Sequence, residues 1–190
     1  MRNIAGYTNN FSSCTGFVYA VFFWSSLALL LGSFAPYCLA WEAEVLHVHD
    51  GDSLIVRRLP FGKKVRVRLQ GIDAPEMKTD NWPPQPYCIR SRDFARSLMP
   101  VGITVTLQVL GKDQYDRTLA GNVVLPDGRS VQEEMIKAGM AWVYTRYCRD
   151  CKNLRVLEQS AKEERRGLWR ELDSKRKPVA PWRWRQISKW

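Results

Sequence analysis

The runs Ala43-Glu44-Val45-Leu46-His47-Val48-His49, Ser53-Leu54-Ile55-Val56-Arg57-Arg58-Leu59 and Val65-Arg66-Val67-Arg68-Leu69 decide the architecture. Each keeps close to a two-residue period, the mark of an extended chain whose side chains point alternately to opposite faces. The text between them breaks that period, with Asp50-Gly51 after the first run and Pro60-Phe61-Gly62-Lys63 after the second. Aspartate, glycine and proline supply tight turns. The reading is three short strands joined by turns.

Working outward, Asn81 to Pro86 is a proline-rich loop. Residues 90–99 then space Phe94, Ala95, Leu98 and Met99 as on one face of a helix, which Pro100 ends. Residues 103–110 and 119–125 read as two further strands, the second turned by Pro126-Asp127-Gly128. Ser130 and Glu133 form a capping box for a helix over 131–138 that Gly139 closes, and 154–169 is a longer charged amphipathic helix. Five short strands with about three helices predict an α+β fold, built on a small closed barrel of the oligonucleotide-binding (OB) type.

The ends differ from this body. From Asn3 to Trp41 there is no charged residue, and Phe17 to Leu31 is almost wholly apolar, with Arg2 ahead of it. Cys38-Leu39-Ala40 offers small residues for cleavage after Ala40. Residues 1–40 therefore read as a secretory signal, giving a secreted or periplasmic protein. An uncleaved membrane anchor is the competing reading, since residues 16–40 are long enough to cross a bilayer. The expected organisation is a leader over 1–40, a folded domain over 41–173 and a basic tail over 174–190. The tail carries Lys175-Arg176-Lys177, two prolines and Trp182, Trp184 and Trp190. It reads either as an arm lying on the barrel or as a basic aromatic strip for phosphates and bases.

Net charge is +10, and Arg2 is the only charge in the first 40 residues, so the remainder holds 28 basic against 19 acidic side chains. Such an excess attracts polyanions. Nucleic acid, anionic lipid and acidic polysaccharide all stay open on charge alone. Five cysteines are present, of which Cys88, Cys148 and Cys151 lie beyond the leader. In an oxidising compartment one disulfide is expected, with Cys88 favoured as a partner over the short Cys148–Cys151 ring. A zinc site is not expected, because the Cys148-x-x-Cys151 pair lacks a second pair, and His47 and His49 lie far off in sequence.

Three acidic sites carry the chemistry: Asp50-Gly51-Asp52, Gly71-Ile72-Asp73-Ala74-Pro75-Glu76, and Asp113-Gln114-Tyr115-Asp116-Arg117. The first two fall at strand ends, which a closed barrel can bring to one rim. Two carboxylates there, Asp52 and Asp73, with a loop carbonyl would make a hard oxygen site for Ca2+ or a similar ion. Taken singly, Asp50-Gly51 reads better as a hairpin turn and Asp73-Ala74-Pro75 as a turn initiator. Arg68, on an alternating strand five residues before Asp73, turns the balance toward a site.

With these motifs in order, the chain from about Glu44 to Trp169 resembles the staphylococcal nuclease (thermonuclease) family. The resemblance rests on Asp50-Gly51-Asp52-Ser53, Val67 to Glu76, Asp113 to Ala120, Asn122 to Gly128, Gly139 to Tyr144 and Arg165 to Trp169. Pro181 to Arg185 is similar to tails of bacterial members. The resemblance implies that Asp52, Asp73 and the main-chain carbonyl of Ala74 bind the metal, with Asp50 behind them. It implies that Glu76 positions or deprotonates the attacking water, that Arg68 and Arg117 hold the phosphate, and that Tyr115 and Tyr147 contact substrate. Gln114 and Asp116 depart from the family's lysine and glycine. The expectation is a monomeric Ca2+-dependent endonuclease acting on DNA, RNA or both with low sequence specificity. The rivals are a catalytically inactive nucleic-acid-binding OB module and a secreted basic protein that binds anionic envelope polymers.

Overall fold

The computed structural model describes residues 39–80, 83–148, 151–171 and 178–187. The leader expected over residues 1–40 falls outside this range except for its last two residues, as do residues 174–177 and 188–190 of the tail, with Lys175-Arg176-Lys177 and Trp190. Among the described residues no helix is long and apolar enough to cross a membrane.

The three quoted runs are β1 (Leu39–Val48), β2 (Ser53–Arg58) and β3 (Lys64–Leu69). With β5 (Thr104–Lys112) and β6 (Thr118–Val124) they close a barrel in the order β1-β2-β3-β6-β5. Every neighbouring pair is antiparallel except β3 and β6, which run parallel with Arg68 opposite Leu119. The alternation explains the burial. Val45, Val56, Val67, Leu69, Leu107 and Val123 fill the interior, while Arg57 and Arg66 between them face out. Closure leaves no long strand edge, and it brings the β1–β2 turn, the end of β3 and the start of β6 to one rim.

A second sheet was not legible in the sequence. It has only two residues per strand, β4 (Ile72–Asp73) and β7 (Trp142–Val143), with Asp73 opposite Trp142. Two residues are too few to display a period.

Among the described residues the α-helices are α1 (Cys88–Leu98), α2 (Val131–Lys137), α3 (Lys152–Glu163) and α4 (Pro181–Ile187). Ser130 caps α2 as read, its Oγ accepting the Glu133 N–H at 3.4 Å. The helix expected over 154–169 stops earlier, at Glu163, and a 3-10 turn follows at Gly167–Glu171. The reason lies in two glycines. Gly139 (φ 65°) and Gly167 (φ 54°) meet backbone to backbone, the Leu168 N–H donating to Gly139 O at 2.8 Å. A Cβ on either would overlap the main chain of the other segment. The chain leaves the helix to make that contact.

The described part of the tail packs against the domain. α4 begins at Pro181, where proline's missing N–H costs nothing. Ala180 joins Trp142, Ala161, Leu168 and Trp169 in a second apolar cluster, against which Trp182 packs. Trp142 and Trp169 meet edge to face at 5.4 Å, an arrangement that adds about 0.5–1.5 kcal/mol beyond area burial. The described part of the tail is therefore an arm on the domain.

The cysteine expectation is corrected. Cys148 and Cys151 form the disulfide, and Cys88 is a free thiol. Cys148 and Cys151 have Cα atoms 5.8 Å apart, inside the span a bridge needs. Cys88 is sealed into the first turn of α1 at 3% exposure, where burial pushes its thiol pKa up and suppresses the reactive thiolate. Without reductant, Cys88 is expected to resist alkylation in the native protein and to be the one thiol of these three modified on unfolding. Mass spectrometry that finds Cys148 or Cys151 alkylated instead would contradict this pairing.

Candidate active site

The β1–β2 turn builds the first wall. Gly51 lies so close to α1 and to the segment after β4 that an added Cβ would overlap Ser91 Oγ and come 2.6 Å from Ala74 Cβ. Only glycine lets the turn settle there. The Asp52 N–H donates to Asp50 Oδ1 at 3.1 Å, and the Leu69 N–H donates to Asp52 O at 2.9 Å. The pairing of Ser53 with Arg68 then sets the Asp52 carboxylate beside the Arg68 guanidinium. Its Oδ2 accepts the Ala74 N–H at 2.6 Å, and its Oδ1 accepts Ser53 Oγ at 3.1 Å and pairs with Arg68 Nη1.

β4 builds the second wall. Pairing with β7 fixes Asp73, whose Oδ1 accepts Arg68 Nη2 at 2.7 Å. One guanidinium is thus forked across two carboxylates, Asp52 at 3% and Asp73 at 0% exposure. Charge-assisted bonds of this kind are about twice as strong as neutral ones, and the planar fork fixes both partners.

Glu76 follows on the same side. Its N–H donates to Gln85 Oε1 at 3.1 Å, and the Gln85 N–H returns a bond to Glu76 O at 2.9 Å. Its carboxylate pairs with Arg185, from α4. Arg185 also donates to both oxygens of Asp73, at 2.9 and 3.3 Å. Burial works against charge on Arg185, but Asp73 and Glu76 outweigh it and hold the guanidinium above its usual pKa range. Burial raises Glu76, with Arg185 opposing and Asp73 and Asp50 adding to the rise. Asp50 is raised by burial in the same way, against the pull of Arg68 and His49.

The β5–β6 hairpin supplies the third wall. Arg117 Nε donates to Asp113 Oδ2 at 2.7 Å, and the N–H groups of Arg117 and Tyr115 both donate to Asp113 Oδ1 at 2.9 Å. Burial tends to raise the Asp113 pKa, but these donors win and lower it. Asp116, where the family pattern has glycine, takes φ 57°, a left-handed conformation that aspartate tolerates better than most residues. The departure therefore leaves the backbone intact. Arg117 lies over the Tyr115 ring at 5.4 Å, and Tyr115 is 62% exposed at the mouth. Tyr147 ends a 3-10 turn, Thr145–Tyr147, and its side chain lies outside the described residues.

These walls enclose a cleft of about 800 Å³ whose lining includes Asp50, Asp52, Arg68, Glu76, Arg117 and Arg185. Gln114 lines it too, while Asp73 lies beneath, covered by Arg68 and Arg185. Sequence reading missed three contributors. Asp113 is the first, and its four-residue spacing from Arg117 is the local signal that could have found it. Gln85 and Arg185 meet Glu76 only through the fold.

A divalent ion fits this donor set. Among the described residues no three His, Cys, Asp or Glu side chains gather as a metal cluster. The set is instead two carboxylates, Asp52 and Asp73, joined by the Ala74 main chain, and hard cations accept such carboxylate and carbonyl oxygens. The oxygens of this pair accept from Arg68, Arg185 and the Ala74 N–H.

Comparison with known proteins agrees with the architecture. The sequence profile described as "Staphylococcal nuclease homologue" matches residues 66–171. An "Uncharacterized endonuclease" of Escherichia coli O157:H7 is 41% identical over 159 residues, covering 84% of this chain and 94% of that protein. An "Uncharacterized endonuclease" of Haemophilus influenzae is 35% identical over 146 residues, 76% of this chain and 73% of that one. "Staphylococcal-like nuclease CAN1" of Arabidopsis thaliana is 34% identical over 126 residues, 66% of this chain and 35% of that longer protein. The chain belongs to the staphylococcal nuclease family.

Proposed function

We propose that this protein is a Ca2+-dependent endonuclease that hydrolyses phosphodiester bonds of DNA, RNA or both with low sequence specificity. The observation that carries the reading is Arg68 forked over the buried pair Asp52 and Asp73, on a cleft that also holds Glu76 and Arg117. Family membership and the relatives' names, endonuclease and staphylococcal-like nuclease, support the same chemistry.

A phosphodiester is already anionic, and attack by water adds charge to its equatorial oxygens. Arg68 and Arg117 are the groups that meet that charge, each with a planar fork matched to two oxygens. Asp113 holds Arg117 toward the cleft. Glu76 takes the water's proton, and burial, which favours its neutral form, makes it a stronger base than an ordinary exposed glutamate. Asp52, Asp73 and the Ala74 carbonyl are the residues that would hold the ion, which when bound adds positive charge at the phosphate and orients water. Asp50 supports Asp52 through its main-chain N–H. Tyr115 offers an exposed ring at the mouth, and Tyr147 is assigned to substrate on family resemblance alone. Single-stranded and flexible stretches are the favoured substrates, because the bond must enter the cleft.

The apolar leader makes this an exported enzyme, secreted or periplasmic, or tethered through residues 16–40 where the leader is retained. The Cys148–Cys151 disulfide supports an oxidising compartment. We expect a monomer. Asp52→Asn removes one anionic ligand, and a loss of at least the roughly 10–100-fold produced by removing an outer partner of a metal ligand is expected in Ca2+ affinity. Titrating Ca2+ against cleavage of a labelled single strand checks this. An unchanged Ca2+ midpoint would remove Asp52 from the metal site.

A further inference from the structure

The tail meets both the cleft and the loop after β4. Trp182 stacks on Tyr144, a cleft residue, with ring centroids 5.2 Å apart and planes 23° from parallel. Trp184 Nε1 donates to Pro83 O at 3.3 Å. Just before the helix, Val179 O accepts Gln85 Nε2, and Gln85, 2% exposed, holds the main chain of Glu76 from both sides. Arg185 completes the set by pairing with the carboxylates of Asp73 and Glu76.

Two features set these contacts apart from surface packing. Three of them meet the stretch between β4 and α1, where residues 76–80 and 83–85 include the proposed base and have no regular secondary structure apart from an isolated bridge residue at 79. They also join residues about a hundred positions apart in sequence. A loop without a ladder of its own must be fixed from outside if a side chain on it is to hold one geometry. Here the fixing groups are the Val179 carbonyl, Trp184 and Arg185.

We propose that the C-terminal helix is a strap that completes the active site, and that Arg185 is a positioning residue that orients Glu76 and Asp73. The proposal rests on the endonuclease reading for the role of Glu76. It departs from an arm that follows nucleic acid, because the contacts of the tail run to the loop that carries Glu76. It also departs from a purely stabilising arm, because one of the two carboxylates that Arg185 meets is that of the proposed base.

The test uses the full-length protein, with Arg185→Gln and Arg185→Lys beside wild type. Steady-state cleavage of a labelled single-stranded oligonucleotide in Ca2+ gives kcat and KM. Amide hydrogen exchange on the same proteins without metal reads the segment 76–87 directly. Arg185→Gln is expected to lower kcat by about 10–100-fold, the scale on which a misplaced catalytic group acts, with KM changed less than about threefold. Arg185→Lys, which keeps the charge, is expected to recover part of that loss. Exchange over 76–87 is expected to rise in Arg185→Gln while β1 and β5 keep their protection.

Unchanged kcat with raised KM and a flatter salt dependence would overturn the proposal in favour of a nucleic-acid arm. Faster turnover with tighter Ca2+ binding would overturn it in favour of a guanidinium that competes with the metal. Unchanged exchange over 76–87 in Arg185→Gln would overturn the strap itself. If wild type cuts nothing in any divalent ion, the nuclease reading fails, and the metal-free exchange data still decide whether the strap holds the loop.

Discussion

Arg68→Lys is expected to leave a folded protein whose turnover falls by about 10²–10³-fold, the cost of removing one preorganised donor from a developing oxyanion. Lysine keeps the positive charge between Asp52 and Asp73, so the two buried carboxylates are not left facing each other alone. What it loses is the fork. A single ammonium is a point charge with mobile donors and cannot span both carboxylates and a phosphate in one plane. Arg68→Ala is a poorer probe, since stranding buried charges costs about 3–5 kcal/mol and mixes folding with catalysis. Single-turnover cleavage at saturating Ca2+, with melting followed on the same sample, separates the two. A lysine variant that cuts as fast as wild type would show that charge alone suffices.

Glu76→Gln is expected to lower turnover by about 10²–10⁴-fold, the range for removing a positioned general base. Glutamine is nearly isosteric and its side-chain oxygen can still accept a bond from Arg185, so the loop after β4 keeps its anchor. Oligonucleotide affinity, measured by fluorescence anisotropy in Ca2+, is expected to stay within a few-fold of wild type. Loss of affinity in step with turnover would make Glu76 a binding group instead of a base.

The two predictions rest on parts of the molecule that were legible to different degrees. The barrel was readable because β1, β2 and β3 each keep a two-residue period and are separated by glycine and proline. The first two acidic motifs were readable as candidates because both sit where a period ends. The geometry that joins them was not readable. The pairing of Ser53 with Arg68 and of Asp73 with Trp142 decides that one guanidinium meets two carboxylates, and strand register across the barrel leaves no local trace. Arg185 illustrates the limit. It stood in a basic, tryptophan-rich tail whose composition suggested contact with phosphates, yet it lies 109 positions from Glu76 and pairs with it. The cysteines show the same limit. Three thiols with one expected bridge left the choice to proximity in the fold, and the fold sets Cys148 and Cys151 with Cα atoms 5.8 Å apart.

The central claim is that this cleft breaks phosphodiester bonds with the help of a divalent ion. Its most direct test is digestion of an end-labelled single-stranded oligonucleotide by the purified protein in Ca2+, in chelator, and in chelator followed by excess Ca2+. The account predicts internal cleavage with Ca2+, none in chelator, and recovery when the ion is restored. Cleavage that persists in chelator, or no cleavage in any divalent ion by a folded protein, would contradict it.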